Sequence, residues 1–298
     1  MIVEILGSLN LDVSFSCQVL PAPGETVLCP NVYSGPGGKG LNQAVAARRA
    51  GVKVKMAGAV GADSNGESLL SFLAAEDIDS YGIVRCTDTA TGLAHIVVDQ
   101  SGENSIVVAS GANMYASPPA REPDDASCVY LSQLEIGIEV VGAFLSDGRR
   151  AGSTTILNAA PAVPGASAIF DFADILVVNE HELSQFSGMA CADRDEYSIT
   201  EAARKLIQRA DQTIIVTLGA CGTQIVNSNA TLRLPAHPAN AVDTTGAGDC
   251  FCGVLAASLA AGLTVRDAVQ RANKAASLAV QRTGAANAMP FEAEIDRL

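Results

Sequence analysis

Short apolar runs alternate with Ala-rich segments along most of the chain, and this alternation limits the possible folds more than any other feature. Runs such as "IVEIL" at 2–6 are apolar without a polar alternation, which is typical of strands buried on both faces. The segments 42–51 and 64–78 have helical patterns; the first ends at Gly51 and the second has an N-cap signal at Ser64. We therefore predict an α/β fold, with a doubly wound, mainly parallel sheet and helices on both faces.

Two regions do not follow this alternation. Segments 11–19 and 91–111 resemble strands that a parallel sheet does not require, and residues 100–103 carry a hairpin signal. They predict a small separate sheet beside the main layer; an antiparallel edge of the main sheet is the alternative. We interpret 117–127 as a surface loop, so that residues 1–298 form a single domain.

Composition excludes several classes of function. The net charge of −13 argues against nucleic acid or an anionic membrane as a partner. Apolar runs are far shorter than the ~20 residues that span a bilayer, and the start of the chain lacks the basic segment of a signal peptide. The eight cysteines form no Cys-x-x-Cys pair, which predicts eight reduced thiols in a cytoplasmic protein.

The segment "TTGAGD" at 244–249 marks the start of an apolar helix. Its glycines leave the first backbone N–H groups of the helix unobstructed, and such groups bind anions such as a transferring phosphoryl group. Asp249 lies in the first turn, where it could deprotonate an attacking hydroxyl. Equally, Asp249 could only complement the helix dipole while Gly246 and Gly248 permit close helix packing.

A second glycine-rich segment, "GGKGLNQA" at 37–44, lies near the N-terminus. Its glycines permit close approach of a ligand, while Lys39 and Asn42 supply polar groups. Asn10 and Asp12 follow the first strand and share one side of an extended segment. Since ligands bind beyond the carboxyl ends of such strands, these residues predict a polyol site; an Asx turn and a solvated carboxylate are the alternative.

Asn179 and Glu182 in "NEHE" follow another apolar strand. Three residues apart on a helical face, they could hold a shell of Mg²⁺, water and phosphate. The pair is equally typical of a helix cap, with Asn179 at the N-cap and Glu182 at N3. The Gly-rich segment 217–222 could flank a nucleotide or form a bare turn.

In this order, the four features resemble the ribokinase family of carbohydrate kinases, also called the PfkB family. Segment 36–51 is similar to its first signature and segment 243–255 to its second, and the resemblance covers the whole chain. It implies transfer of the γ-phosphoryl of ATP to a sugar hydroxyl, on a ribokinase-like fold. It also implies a β-sheet lid, formed by about 11–34 and 91–109, through which members commonly form homodimers.

The resemblance assigns a role to each matching residue. It implies that Asp249 is the catalytic base, beside an anion hole at Gly246, Ala247 and Gly248. Sugar contacts are implied for Asn10, Asp12, Gly38, Lys39, Asn42, Glu135 and Asp249. Nucleotide contacts are implied for Asn179, Glu182, Thr217, Gly219, Gly222 and Asn273, with Glu182 holding Mg²⁺ through water. A K⁺ site is implied at Asp243, Thr245, Gly284 and Ala288.

The sugar contacts match family members that phosphorylate the 5-hydroxyl of D-ribose, with ATP, Mg²⁺ and K⁺. Kinases of fructose, deoxyribose or a nucleoside are the alternatives, as is a non-catalytic sugar-binding protein. Only Phe15 and Tyr33 are aromatic in the predicted lid strands, which disfavours a nucleoside. The sequence departs from the family pattern at Ala159 and at Asn287-Ala288, in place of a Pro and of Pro-Ser, and lacks the usual Pro after Glu135.

Overall fold

The computed structural model describes residues 1–100, 103–119, 128–191 and 195–298. The strands are β1 Ile2–Leu6, β2 Asn10–Ser16, β3 Asn31–Gly37, β4 Lys53–Gly61, β5 Asp79–Cys86, β6 Gly92–Val98, β7 Asn104–Ala109, β8 Cys128–Gln133, β9 Thr154–Asn158, β10 Ile175–Asn179, β11 Thr213–Thr217, β12 Thr223–Val226 and β13 Thr231–Leu234. The helices are α1 Lys39–Arg49, α2 Ser64–Ala75, α3 Ile138–Arg150, α4 Glu180–Ser187, α5 Glu196–Arg204, α6 Ala247–Ala260, α7 Val265–Ala279 and α8 Glu292–Ile295.

Nine strands form the main sheet, in the order β13-β12-β11-β10-β9-β8-β1-β4-β5. Neighbours are parallel except at the β11–β12–β13 edge, where pairing is antiparallel. Successive side chains of a strand enter different cores: Ile5 packs with α1, α2, α6 and α7, whereas Leu6 packs with α3, α4 and α5. This two-sided burial explains the continuously apolar strands and confirms the doubly wound α/β prediction.

The small sheet has four strands, in the order β3-β2-β6-β7. It is separate from the main sheet, so the interpretation of these strands as an edge of the main sheet is wrong. Strands β6 and β7 pair antiparallel, as the hairpin signal predicted, although turn residues 101–102 lie outside the described residues. Most of the loop predicted at 117–127 lies outside them as well, from residue 120 onward.

Two helices begin differently from the prediction. Helix α1 starts at Lys39 instead of 42, because Gly38 takes a φ of 88° at its N-cap and turns the chain into the helix. Helix α2 is capped by Asp63 rather than Ser64, since the Asp63 carboxylate accepts the Gly66 N–H at 2.8 Å. Both differences are one-turn effects at a helix end, which hydrophobic periodicity does not locate.

The prediction of eight reduced thiols is wrong for one pair. Cys17 and Cys29 form a disulfide that closes the loop between β2 and β3, with their Cα atoms 4.6 Å apart. Antiparallel pairing of these strands brings the two ends of the loop together, a proximity that cysteine spacing alone does not reveal. Cys86, Cys191, Cys221, Cys250 and Cys252 are in no disulfide.

Helices α1 and α6 approach each other closely. A Cβ at Gly253 of α6 would lie 2.6 Å from the Cβ of Ala46 and would collide with the carbonyl oxygen of Gln43. This approach places the two glycine-rich segments, about 200 residues apart in sequence, beside the carboxyl ends of the central strands. No helix in the described ranges is long and apolar enough to cross a bilayer.

Candidate active site

Four neighbouring strands of the main sheet each end in a polar residue. These residues are Gln133 at the end of β8, Asn158 of β9, Asn179 of β10 and Thr217 of β11. Gln133 is directly opposite Asn158, and Asn179 directly opposite Thr217, in the parallel register. The carboxyl edge of the sheet is therefore a polar platform, to which α1 and α6 add their N-terminal turns.

Asp249 lies in the first turn of α6 above this edge and is only 6% exposed. Its Oδ2 accepts a hydrogen bond of 3.0 Å from Nδ2 of Asn42, and its Oδ1 accepts one of 3.0 Å from Nε2 of Gln43. Both donors come from α1. The two motif segments thus meet at one carboxylate.

Burial raises the pKa of Asp249 above its ordinary range. The charge of Lys39 and the amide donors of Asn42 and Gln43 act in the opposite direction and favour the ionised form. A buried carboxylate held by two amides and one cation is a suitable proton acceptor, because its basicity is increased while its orientation is fixed.

The predicted sugar residues share one cavity of about 260 Å³. Its wall includes Asn10, Asp12, Gly38, Lys39, Asn42, Glu135 and Asp249. The structure therefore brings together every residue of the predicted sugar set. Ala94 and Ile96 of β6, with Ile106 and Val108 of β7, complete the wall on the side of the small sheet.

Two oxygens at this cavity are buried without a hydrogen-bond partner among the described residues. They are Oδ1 of Asp12 and Oδ1 of Asn42, whose other side-chain atom already donates to Asp249. Buried acceptors of this kind require a donor, and a sugar hydroxyl supplies one. Asn10 has the opposite polarity: its Oδ1 accepts from Nδ2 of Asn113 at 2.7 Å, which leaves its Nδ2 to donate.

Glu135 is fixed from two sides. Its Oε2 accepts the hydroxyl of Ser8 at 2.5 Å and the backbone N–H of Lys39 at 3.1 Å. Gly38 permits this arrangement, because a Cβ there would lie 2.9 Å from both the Ser8 carbonyl oxygen and the Asn10 nitrogen. The β1–β2 connection and the start of α1 are therefore packed backbone to backbone.

The pKa of Asp12 is raised to about 7. Burial is the main cause, and the nearby carboxylates of Glu135 and Asp249 add to it, whereas Lys39 lowers the pKa. The charge of Asp12 therefore changes near neutral pH.

A second cavity of about 240 Å³ adjoins the first, and Lys39, Gly246 and Asp249 line both. Ala247, Gly248, Asn179, Glu182 and Thr217 also line it. The N–H of Ala247 donates to Thr244 O at 3.2 Å, while the first-turn N–H groups that follow have no acceptor within the helix. The predicted anion hole thus lies at the junction of the two cavities, with Gly248 and Asp249 as its better donors.

Lys39 supplies the positive charge of this junction. Burial favours its neutral form, but the carboxylates of Asp249, Glu135 and Glu182 outweigh burial and raise the pKa of Lys39. The side chain therefore remains an ammonium. Without this positive charge, the carboxylates that line the two cavities would be uncompensated.

Asn179 and Glu182 form a reciprocal capping box. Oδ1 of Asn179 accepts the Glu182 N–H at 2.8 Å, and Oε2 of Glu182 accepts the Asn179 N–H at 2.9 Å. Burial raises the pKa of Glu182. The cap interpretation is confirmed, and both residues also line the second cavity, so the cap and a role in binding are compatible.

The remaining residues that were predicted to contact the nucleotide lie elsewhere. Gly222 has a φ of 89° and a Cβ there would collide with Leu234 O, while Gly219 has a φ of 55° beside open space. Asn273 of α7 accepts from Oγ1 of Thr223 at 2.7 Å and lines a separate cavity of about 730 Å³. The structure thus places Asn273 next to the Gly219–Gly222 turn, away from the cavity that Thr217 lines.

Asp243 joins the loop before α6 to the loop after α7. Its Oδ1 accepts the Thr245 N–H and its Oδ2 accepts the Gly284 N–H, each at 2.9 Å. Three of the predicted cation residues, Asp243, Thr245 and Gly284, are therefore neighbours. The fourth, Ala288, is buried and has only a backbone carbonyl to offer. Among the described residues, no group of three His, Cys, Asp or Glu side chains could hold a metal ion.

Three residues that hydrogen-bond the predicted sugar residues were missed by the sequence interpretation. They are Gln43, which contacts Asp249, Ser8, which contacts Glu135, and Asn113, which contacts Asn10. Gln43 lies inside segment 37–44, directly after Asn42, and Ser8 lies two residues before Asn10, so proximity in the sequence was the available signal. Asn113 gave no signal, because its amide reaches Leu9 and Asn10 only through the packing of a 3₁₀ turn.

Comparison with known proteins agrees with this geometry. The family model described as pfkB family carbohydrate kinase matches residues 2–292. The ribokinase of Schizosaccharomyces pombe is 35% identical over 306 residues, which cover 99% of this chain and 96% of that protein. The ribokinase of Bacillus subtilis is 36% identical over 298 residues, covering 99% and 98%.

A solved structure shows the same fold. Arabidopsis thaliana ribokinase, complexed with ribose and ATP, has a TM-score of 0.88 and 28% identity, over 99% of this chain and 97% of the other. The chain belongs to the pfkB family of carbohydrate kinases. It is an enzyme that transfers a phosphoryl group to a hydroxyl of a sugar.

Proposed function

We propose that the enzyme phosphorylates the primary 5-hydroxyl of D-ribose with ATP. The single observation that carries the proposal is the position of Asp249, a buried carboxylate that lines both the cavity of the predicted sugar residues and the second cavity beside Gly246–Gly248. The relatives named ribokinase, at 35% and 36% identity, support ribose as the sugar.

In this mechanism Asp249 accepts the proton of the 5-hydroxyl while the oxygen of that hydroxyl attacks the γ-phosphorus of ATP. The bond from that phosphorus to the β–γ bridging oxygen breaks, and ADP leaves with the electron pair. The N–H groups of Gly248 and Asp249, at the positive end of the α6 dipole, stabilise the transferring charge. Lys39 compensates the remaining negative charge from the junction of the cavities.

Magnesium and potassium fit the residues present. Mg²⁺ prefers one or two carboxylates together with phosphates and water, and Glu182 offers a carboxylate on the cavity wall. When bound, Mg²⁺ supplies charge neutralisation to the phosphates of ATP. For K⁺, the ligands would be the Asp243 carboxylate and the backbone carbonyl oxygens of Thr245, Gly284 and Ala288. The N–H groups of Thr245 and Gly284 hold that carboxylate in place.

A nucleoside is disfavoured by the small sheet. Phe15 packs edge-on against His95 with ring centroids 5.8 Å apart, and neither it nor Tyr33 lines the sugar cavity. The wall instead carries aliphatic side chains, which suit a small sugar rather than a stacked base. Fructose and deoxyribose remain the alternative substrates. A non-catalytic sugar-binding protein would not need the buried base beside free helix N–H groups.

We further propose that the small sheet acts as a lid and that two copies associate through its outer face. Val32 and Val107 on that face are 65% and 70% exposed, an apolar surface that suits a second copy of this chain. Sedimentation of the wild type and of Val107→Glu tests the homodimer. We expect a dimer for the wild type and a monomer for the variant, and a monomeric wild type would contradict the proposal. We expect no nucleic acid or membrane partner. The expectation of a cytoplasmic location now rests on the five cysteines that are in no disulfide, since Cys17 and Cys29 are paired.

A coupled assay of ADP release tests the substrate. Ribose, 2-deoxyribose, fructose and several nucleosides are compared, with and without Mg²⁺ and K⁺. We expect the highest kcat/KM for ribose, no turnover without Mg²⁺ and an increase with K⁺. A higher kcat/KM for any other acceptor would overturn ribose as the substrate, and turnover independent of K⁺ would overturn the cation site.

A further inference from the structure

Gln43 is a fully buried amide in contact with the base. On α1 it is 0% exposed, and its Nε2 lies 3.0 Å from Oδ1 of Asp249 and 3.1 Å from Oδ1 of Asn158. Its Oε1 accepts from Nε2 of Gln133 at 2.7 Å. Gln43 lines neither of the two cavities, so it reaches the ligands through Asp249 and through Asn158, which lines the second cavity.

The orientation of the Gln43 amide is determined by its neighbours. A carboxylate can only accept, so the NH₂ group of Gln43 must face Asp249 and its oxygen must face Gln133. Gln133 is also fully buried, at the end of β8. It packs against Gly7, where a Cβ would collide with its Oε1. The central sheet therefore holds Gln133, Gln133 orients Gln43, and Gln43 holds one oxygen of Asp249.

Asn42 and Gln43 have different functions although they are adjacent. Asn42 lines the sugar cavity, and its unpartnered Oδ1 is available to a sugar hydroxyl. Its replacement must therefore alter sugar binding. Replacement of Gln43 removes a hydrogen bond from Asp249 without removing any group from the sugar cavity.

We propose that Gln43, oriented by Gln133, is a positioning residue that holds the carboxylate of Asp249 ready to accept the substrate proton. This inference rests on the proposed role of Asp249 as the base. Lys39 of α1 is the positive group that acts on Asp249, while Glu135, Glu182 of α4 and Asp12 of β2 are negative neighbours within the site. The thiols of Cys250 and Cys252 lie on the same helix, and burial raises their pKa so far that they remain neutral.

Gln43→Met tests the proposal, because methionine has a similar length and cannot donate. We expect kcat to fall by about 10²-fold, the cost of a misplaced catalytic group, while the KM for sugar changes little. The acid limb of the kcat/KM profile is expected at higher pH, since Asp249 loses a donor that favours its ionised form. Asn42→Ala is the matched variant, and in it the KM for sugar is expected to rise.

Gln133→Met adds a second variant that touches neither Asp249 nor a cavity. We expect a smaller loss of kcat, which disappears when Gln43 is already methionine, because Gln133 acts only through Gln43. An unchanged kcat in folded Gln43→Met, or equal effects of Gln133→Met in both backgrounds, would overturn the proposal.

A spectroscopic measurement separates this inference from the proposed function. The carboxyl carbon of Asp249 is titrated by NMR in ¹³C-aspartate-labelled protein, without substrate, and assigned by comparison with Asp249→Asn. A higher pKa of Asp249 in Gln43→Met supports the positioning contact even if ribose is not the substrate. An unchanged pKa overturns the inference, whatever sugar the enzyme accepts.

Discussion

The side-chain amide of Asn287 donates a hydrogen bond of 2.8 Å to the phenolic oxygen of Tyr33. Tyr33 lies on β3 of the small sheet, and Asn287 lies in a 3₁₀ turn that follows Gly284. Because Asp243 holds the N–H of Gly284, this contact connects the small sheet to the predicted cation loop. A movement of the small sheet away from this turn would therefore break the hydrogen bond between Tyr33 and Asn287.

Removal of the Tyr33 hydroxyl should weaken the closed form of the lid. We expect Tyr33→Phe to raise the KM for sugar by a few-fold, the worth of about 1 kcal/mol for one hydrogen bond. Asn287→Ala is expected to give the same increase. The double variant should show no further effect, since both changes remove one contact. Additive increases in KM would contradict the role of this pair.

Replacement of the base should separate chemistry from binding. We expect Asp249→Asn to lower kcat by about 10³-fold or more, the loss typical of a missing general base. Sugar affinity, measured by calorimetry, should remain within a few-fold, because the other polar groups of the cavity are unchanged. Thermal unfolding is the control, since an amide at this position places a donor against Asn42 or Gln43. Near-normal turnover would show that Asp249 is not the base.

Asp12 predicts a pH dependence of sugar binding. With a pKa of about 7, the carboxylate becomes ionised as the pH rises through neutrality. Since the ionised form is the better acceptor for a hydroxyl, we expect the KM for sugar to fall from pH ~6 to ~8. Asp12→Asn, measured in the same buffers, should abolish this dependence. A wild-type KM that is constant over this range would contradict the assignment.

The same group affects stability with a defined sign. Its folded pKa lies above the ordinary value of 3.8, so between 3.8 and about 7 the folded state binds more protons than the unfolded state. The contribution of Asp12 to stability is therefore lost as the pH rises through this window. We expect Asp12→Asn to raise Tm more at pH ~8 than at pH ~4. The opposite order would exclude a raised pKa.

The turn at 219–222, predicted to contact the nucleotide, offers a matched pair of glycines. Gly222→Ala is expected to lower Tm markedly, because its φ is positive and the new Cβ would collide with Leu234 O. Gly219→Ala meets open space, so its cost should be limited to about 1 kcal/mol of backbone strain. We also expect a higher KM for ATP in Gly222→Ala. Equal losses of Tm in the two variants would contradict this distinction.

The sequence predicted those parts of the site that lie within single motifs. Asp249, Lys39 and Asn42, which line one cavity, were predicted because each follows glycines at a helix start, where local geometry and chemistry agree. The role of Gln43 could not be predicted, since it depends on how closely α6 packs on α1 and on the side chain that ends β8. The disulfide of Cys17 and Cys29 likewise depends on strand pairing, and the position of Asn273 depends on the packing of α7 against the β11–β12 turn.

The two walls of the sugar cavity differ in what they contribute. Strands β6 and β7 provide Ala94, Ile96, Ile106 and Val108, which only shape the cavity. Asp249, its partner Asn42 and Gly246 all belong to the other wall. After gene duplication, aliphatic exchanges on these two strands would therefore reshape the cavity without replacing any of its polar groups. The inherited phosphoryl-transfer apparatus would continue to work unchanged.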